Sequence, residues 1–142
     1  MSGESTKELV LRALEEDAQA SYGDIAERAD VSKPTVRKYI KELEADGVIV
    51  GYSADVDPKK LSSRSIALVG IEAESEQFVE VTEALKALPP VEALFASSGD
   101  HMLMAEVRGR DGTEVGAVIR SDILTIDGVT AAHPCFLQER LK

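Results

Sequence analysis

Apolar positions change their rhythm along this chain, and the change divides it. Leu9, Val10, Ala13 and Leu14 fall on one side of a helix predicted over residues 6–16. Ile25, Ala26 and Ala29 give a second short helix its apolar face. Val36, Ile40 and Leu43 then recur at i, i+4 and i+7, the buried stripe of a third helix running to about Ala45. Ser21 and Ser32 stand where N-caps are needed, with Asp24 as a partner for Ser21, and Pro34 falls in a first turn, where a missing N–H costs least. Asp46-Gly47 ends the third helix, glycine being suited to a left-handed C-cap. Val48 onward should begin extended, as a short strand or wing. These features predict a winged helix-turn-helix over residues 1–52.

Residues 53–63 read as a linker, with Asp57-Pro58-Lys59-Lys60 and Ser62-Ser63 polar and turn-forming. Lys59 and Lys60 fit either a DNA-backbone contact or plain solubility. From residue 64 to 142 a β-α-β pattern occurs twice. Strands are predicted over 65–72, 91–97, 101–108 and 129–137, and helices over 74–88 and 112–124. Phe78, Val81, Leu85 and Leu88 line the first helix; Val115, Val118, Ile119 and Ile123 line the second. The result is an α+β chain whose second domain is a ferredoxin-like βαββαβ fold with both helices on one sheet face. The opposite face needs a cover, because an exposed apolar sheet is a liability, and self-association is the economical one.

Charge sharpens the reading of the third helix. The chain carries 26 acidic and 16 basic residues, a net −10, yet Val31 to Lys41 holds four cations and no anion. Lys33, Thr35, Arg37, Lys38 and Lys41 occupy the side away from the buried stripe. One packed face and one cationic face is what a helix-turn-helix needs to meet phosphates and base edges in a major groove. The DNA-binding set is therefore Ser32, Lys33, Thr35, Val36, Arg37, Lys38 and Lys41, with Val36 also counted in the buried stripe. A solvated helix face, in a ligand sensor that does not bind DNA, is the alternative.

Dense carboxylates, few lysines and many small residues fit a halophilic protein from a cell of high internal salt. With a salt slope of about −0.9 per phosphate contact, six contacts lose about seven decades of affinity between 0.15 and 3 M. Close contacts and avidity would then matter more than long-range attraction, which favours an oligomer. Aromatics are only 4% and Trp is absent, so the cores must be aliphatic. No apolar run approaches the roughly 20 residues of a membrane helix, and MSGESTKE lacks the marks of a signal peptide. With Cys135 the single cysteine, no internal disulfide can form, and a cytoplasmic protein is expected.

The order of parts resembles the Lrp/AsnC (feast/famine) family of prokaryotic transcription regulators, here of halophilic-archaeal character. The resemblance rests on SKPTVRKYIKELEADGVIVGYSADVDP (Ser32–Pro58), which includes a G-Y-x-A-x-x-D-P connector, on SSGDHMLMAEV (Ser97–Val107) and on IDGV (Ile126–Val129). It implies dimers formed through the second domain (RAM/ACT-like), further assembly into tetramers or octamers, and binding to pseudo-palindromic promoter sites in double-stranded DNA. It also implies an amino-acid effector near the Gly-Asp loop, Ser98, Gly99, Asp100, His101 and Met102. The chain departs from the family pattern at His101 (usually aromatic), Met102 (usually acidic) and Pro134 (frequently Thr). Gly99 permits positive φ and exposes backbone N–H groups to a carboxylate, while Asp100 suits an ammonium.

Other chemistry reads weakly. His101, Met102, Met104, His133 and Cys135 are soft or borderline metal ligands, so a metal-responsive regulator is an alternative. Against it, no CxxC or HxxxH occurs, no acidic ligand set is evident, the methionines suit core packing, and the first strand should separate the two segments. No metal site and no cofactor beyond an amino-acid effector is therefore assigned. Cys135 beside His133 lacks an orienting residue or an oxyanion device, so no enzyme is expected.

Overall fold

A computed structural model describes residues 3–142. It divides into two compact units, one running to Asp55 and one from Val56 to Lys142.

The first unit contains α1 (Thr6–Glu16), α2 (Tyr22–Ala29) and α3 (Lys33–Ala45). Each starts on a serine. Ser5 forms a reciprocal capping box with Glu8, Ser21 Oγ accepts the Asp24 N–H at 3.0 Å, and Ser32 Oγ accepts the Thr35 N–H at 3.3 Å. The carboxylate of Glu8 accepts the Ser5 backbone N–H, which holds its pKa below the ordinary glutamate range. Gly47 (φ 72°) ends α3, and the Val48 and Ile49 amides donate back to Leu43 O. Val10, Ala13, Ile25, Ala26, Ala29, Val36 and Ile40 form the shared core.

One expectation for this unit changes: the segment after Val48 is extended but is not a strand. Residues 49–57 form no strand, and Val50 is 94% exposed. Ile49 packs on the helical core, but an extended segment that pairs with no other strand has no ladder to stabilise it as one. The polar side of α1 is also more than solvated surface: Lys7 Nζ lies 2.5 Å from Glu42 of α3 and over the Tyr39 ring. The Glu42 hydrogen bond raises the Lys7 pKa, and Lys7 in turn lowers that of Glu42.

The second unit is a four-stranded antiparallel sheet, β1 (Ser65–Ala73), β2 (Val91–Ala96), β3 (Leu103–Gly109) and β4 (Val129–Phe136), in the order β2-β3-β1-β4. Helices α4 (Phe78–Lys86) and α5 (Gly112–Val118) cover one face. Ala67, Val69, Ile71, Leu103, Ala105 and Val107 point to that side and pack on Val81, Leu85, Val115, Val118, Ile119 and Ile123. The predicted helices are shorter as α-helices: Ser75–Gln77 is a 3₁₀ turn before α4, and Ile119–Ile123 is a π-helical turn after α5.

Gly128 (φ 97°) turns the chain into β4, where an added Cβ would lie 2.8 Å from Gln77 Cβ. That contact explains the glycine of the IDGV segment, while Asp127 Oδ2 accepts the Gln77 Nε2–H at 2.8 Å.

Residues 56–63, expected as linker, are tied to the second unit. Asp57 Oδ1 accepts the N–H of Lys59 at 3.1 Å and of Arg140 at 3.0 Å, and Lys59 Nζ lies 3.2 Å from Glu139. Lys59 is thus already paired within this unit.

The uncovered face of the sheet carries Leu68 and Phe95, 38% and 63% exposed, together with Met104, Glu106, Arg108, His133 and Cys135. Met104 therefore lies outside the core that sequence patterning offered the methionines. Among the described residues no helix is long and apolar enough to cross a membrane.

Candidate nucleic-acid interface and effector loop

The turn before α3 is set by Asp30, whose left-handed backbone (φ 54°, ψ 50°) caps α2. Aspartate tolerates this region better than most L-residues. Ser32 then starts α3; its Oγ is 2.9 Å from Thr35 Oγ1, so the two hydroxyls and the Thr35 amide satisfy one another. From that start, Lys33, Arg37, Lys38 and Lys41 all emerge exposed along one side. Pro34, Arg37, Lys38, Lys41, Glu42 and Ala45 line a continuous shallow depression on it, Glu42 being its one acidic member. Arg37 is braced rather than loose, its guanidinium carbon 5.6 Å from the centroid of the Tyr22 ring on α2. Lys38 sits 4.0 Å from Glu42, a weak pair that leaves its ammonium available.

Val36 departs from the predicted DNA-contact set. It is fully buried in the core of the three helices, so its place is packing. The other six residues share the outer side and the first turn. Tyr22, the brace for Arg37, is a residue that sequence reasoning missed. Its signal is position alone, at the start of α2 just after the capping Ser21.

The loop between β2 and β3 places Ser98, Gly99 and Asp100 in solvent, with Gly99 at φ 115°. Ser97 closes it twice: its N–H donates to Met102 O at 2.9 Å and its hydroxyl to His101 O at 2.7 Å. Asp100 has no hydrogen bond or ion pair among the described residues. His101 and Met102, expected in a strand, belong to this loop. The His101 ring turns back over β1 and its Nδ1 lies 2.7 Å from Glu72 Oε1. It also lies beside His133 of β4, with ring centroids 5.0 Å apart. The first strand does stand between the two histidine segments, but Gly70 opens a gap in it. A glycine inside a strand is a signal of close approach, and the acidic member, Glu72, lies two residues farther along.

Comparisons agree across both units. Residues 4–50 match a winged helix-turn-helix DNA-binding family model, and residues 66–142 match the Lrp/AsnC ligand binding domain. The HTH-type transcriptional regulator LrpA1 of Halobacterium salinarum is 72% identical over 142 residues, covering all of both chains. The solved leucine response regulatory protein (LrpA) of Mycobacterium tuberculosis superposes with a TM-score of 0.76 at 21% identity, over 99% of this chain and 95% of that one. A transcriptional regulator from Neisseria meningitidis, solved as an L-Met complex, gives a TM-score of 0.72 at 19% identity, over 99% and 93%.

Proposed function

The chain belongs to the Lrp/AsnC family of HTH-type transcriptional regulators, and from that premise we propose how its residues divide the work of a DNA-binding regulator that responds to a small effector. The observation that carries the reading is the row of exposed cations on α3. Lys33, Lys38 and Lys41 contact phosphates, Arg37 reaches a base edge from its Tyr22 brace, and Ser32 and Thr35 hold the register of the helix start. The division of labour follows the chain: residues 1–52 read DNA, residues 53–63 connect, and residues 64–142 bind effector and assemble. The protein works in the cytoplasm as a regulator and not as a catalyst.

The effector in this reading is an amino acid. Its ammonium pairs with the exposed Asp100, and its carboxylate meets backbone N–H groups around Ser98, Gly99 and Met102. The Neisseria regulator solved with L-Met supports this ligand class. Assembly begins as a homodimer through the uncovered sheet face around Leu68, Met104 and Phe95, and dimers combine into tetramers or octamers that engage pseudo-palindromic promoter sites by avidity.

The test is enrichment of duplexes from a randomised pool by the full-length chain, followed by titration at several salt concentrations. Recovery of a recurring pseudo-palindrome, with binding lost on combined Arg37→Ala and Lys41→Ala substitution, is the expected result. No enrichment at any ionic strength would leave a ligand sensor that does not bind DNA. For the effector, a thermal-shift screen of the amino acids applies, since a ligand at 100 times its dissociation constant adds about 2.7 kcal/mol. One amino acid should stabilise the wild type and not Asp100→Ala; no response to any of them would remove the loop as an effector site.

A further inference from the structure

We infer that Glu72, His101 and His133 form a binding site for a divalent transition-metal cation of the zinc, cobalt or nickel class, built across β1 at Gly70. The ligand atoms of these three residues all lie within 4.8 Å of one another. Their convergence depends on register. Gly70 of β1 pairs with His133 of β4 on one side and Met104 of β3 on the other. Because Gly70 has no side chain, the His101 ring lies directly over its Cα and reaches toward His133. A Cβ there would come within 2.2 Å of the ring. Glu72, two residues along the same face of β1, supplies the carboxylate.

The donor chemistry selects the cation. Imidazole suits zinc, copper, iron and nickel, whereas magnesium and calcium take oxygen donors. Zinc–nitrogen bonds of about 2.0–2.1 Å and zinc–oxygen bonds of about 2.0–2.2 Å place tetrahedral ligand atoms about 3.4 Å apart. The same bond lengths put the centroids of two imidazoles on one ion about 5 Å apart, and the two rings here are 5.0 Å apart. With the ligand atoms within 4.8 Å of one another, loading needs a contraction of at most about 1.4 Å between the farthest pair, which the exposed His133 ring can supply by turning. Three protein ligands leave one position open for water or an exogenous group.

The Glu72–His101 contact supports either of two geometries, the first with three protein ligands and the second with the two imidazoles alone as protein ligands. Glu72 binds the ion directly, or it accepts the His101 Nδ1–H and thereby presents the Nε2 lone pair to the metal. Outer carboxylates of that second kind typically contribute 10–100-fold to metal affinity. Since His101 lies in the Ser98–Met102 loop, an ion would pin that loop to β1 and β4. The site lies wholly within the second unit, so its occupancy can be measured without DNA or an amino acid.

The test uses the chelator-treated full-length chain titrated with Zn²⁺, and separately with Co²⁺, in excess Mg²⁺ to occupy surface carboxylates. We expect one ion per chain, a visible Co²⁺ ligand-field band, and at least tenfold weaker binding in both His133→Ala and Glu72→Gln with an unchanged far-ultraviolet spectrum. His133 lies on the uncovered sheet face, so the oligomeric state of His133→Ala is measured by size-exclusion chromatography beside its far-ultraviolet spectrum, and an unchanged state keeps a negative result interpretable. No binding under excess Mg²⁺, or equal binding by wild type and His133→Ala, would overturn the inference. So would binding that survives His133→Ala and vanishes in Cys135→Ser, which would assign the ion to the thiol.

Discussion

Gly70 and His101 occupy one place on the sheet: an added Cβ on Gly70 would lie 2.2 Å from Cδ2 and 2.4 Å from Cγ of the His101 ring. The ring therefore needs a bare backbone beneath it. Gly70→Ala should expel it, break the Nδ1 contact to Glu72 and destabilise the unit by about 1–3 kcal/mol, as overpacking does. Imidazole resonances in NMR report the displacement directly. Unchanged His101 shifts in a folded Gly70→Ala protein would show that the ring does not depend on this gap.

Val36 and Arg37 are neighbours in sequence with opposite duties. Val36→Ala should cost about 2 kcal/mol of stability through lost burial and a cavity, while the folded fraction binds DNA as before. Arg37→Ala should cost at most about 1 kcal/mol of stability, from its contact with Tyr22. Its DNA affinity should fall by about 1–3 kcal/mol if it reads a base. Chemical denaturation and fluorescence anisotropy separate the two effects. A Val36→Ala protein that is fully stable yet defective on DNA would reverse the assignment.

Lys41 has a different signature. As a phosphate contact it should affect all duplexes alike, and Lys41→Ala should reduce the log–log salt slope of binding by about 1. A slope identical to wild type would place Lys41 off the DNA.

Ser32 caps the helix that carries every proposed contact. Ser32→Ala removes the acceptor for the Thr35 amide and should destabilise the first unit by about 1 kcal/mol, whereas Ser32→Asp should retain the cap. Equal thermal midpoints for wild type and Ser32→Ala would mean that water satisfies the helix start.

Asp57 provides a pH test. The Arg140 N–H, then the Lys59 N–H and the nearby Lys60 and Lys59 charges, hold its carboxyl below the usual aspartate range. A depressed folded-state value stabilises the tethered tail above the unfolded pKa and loses that effect as pH falls through the folded one. The Arg140 amide resonance should shift with a midpoint below about 3.9, the ordinary aspartate value. A midpoint at or above that value would mean that the tail is not held by Asp57.

Much of this protein is written locally. Ser21 and Ser32 cap because a hydroxyl before an apolar stripe meets orphan amides wherever it occurs. Gly47 ends α3 because the left-handed turn there favours glycine. The spacing of Val81, Leu85, Val115 and Ile119 fixes which side of α4 and of the second helical segment is buried. The cationic side of α3 follows from the same arithmetic: Val36 and Ile40 point inward, so Lys33, Arg37 and Lys41 point out. After Val48, where a short strand or wing is expected, no strand forms, for the complementary reason. An extended segment is stabilised by its partner, and sequence shows the segment without the partner.

Sequence alone thus determined the helices, the cationic helix face and, through its motifs, the family, because helices, caps and helix faces depend on contacts between residues a few positions apart. Only the tertiary structure decided that Tyr22 braces Arg37, that Lys7 grips Glu42, and that Glu72, His101 and His133 meet over Gly70. Those pairings are 15, 35, 29 and 61 residues apart or less. Sheet order and helix packing set them, and no local periodicity encodes which distant side chains will share a face.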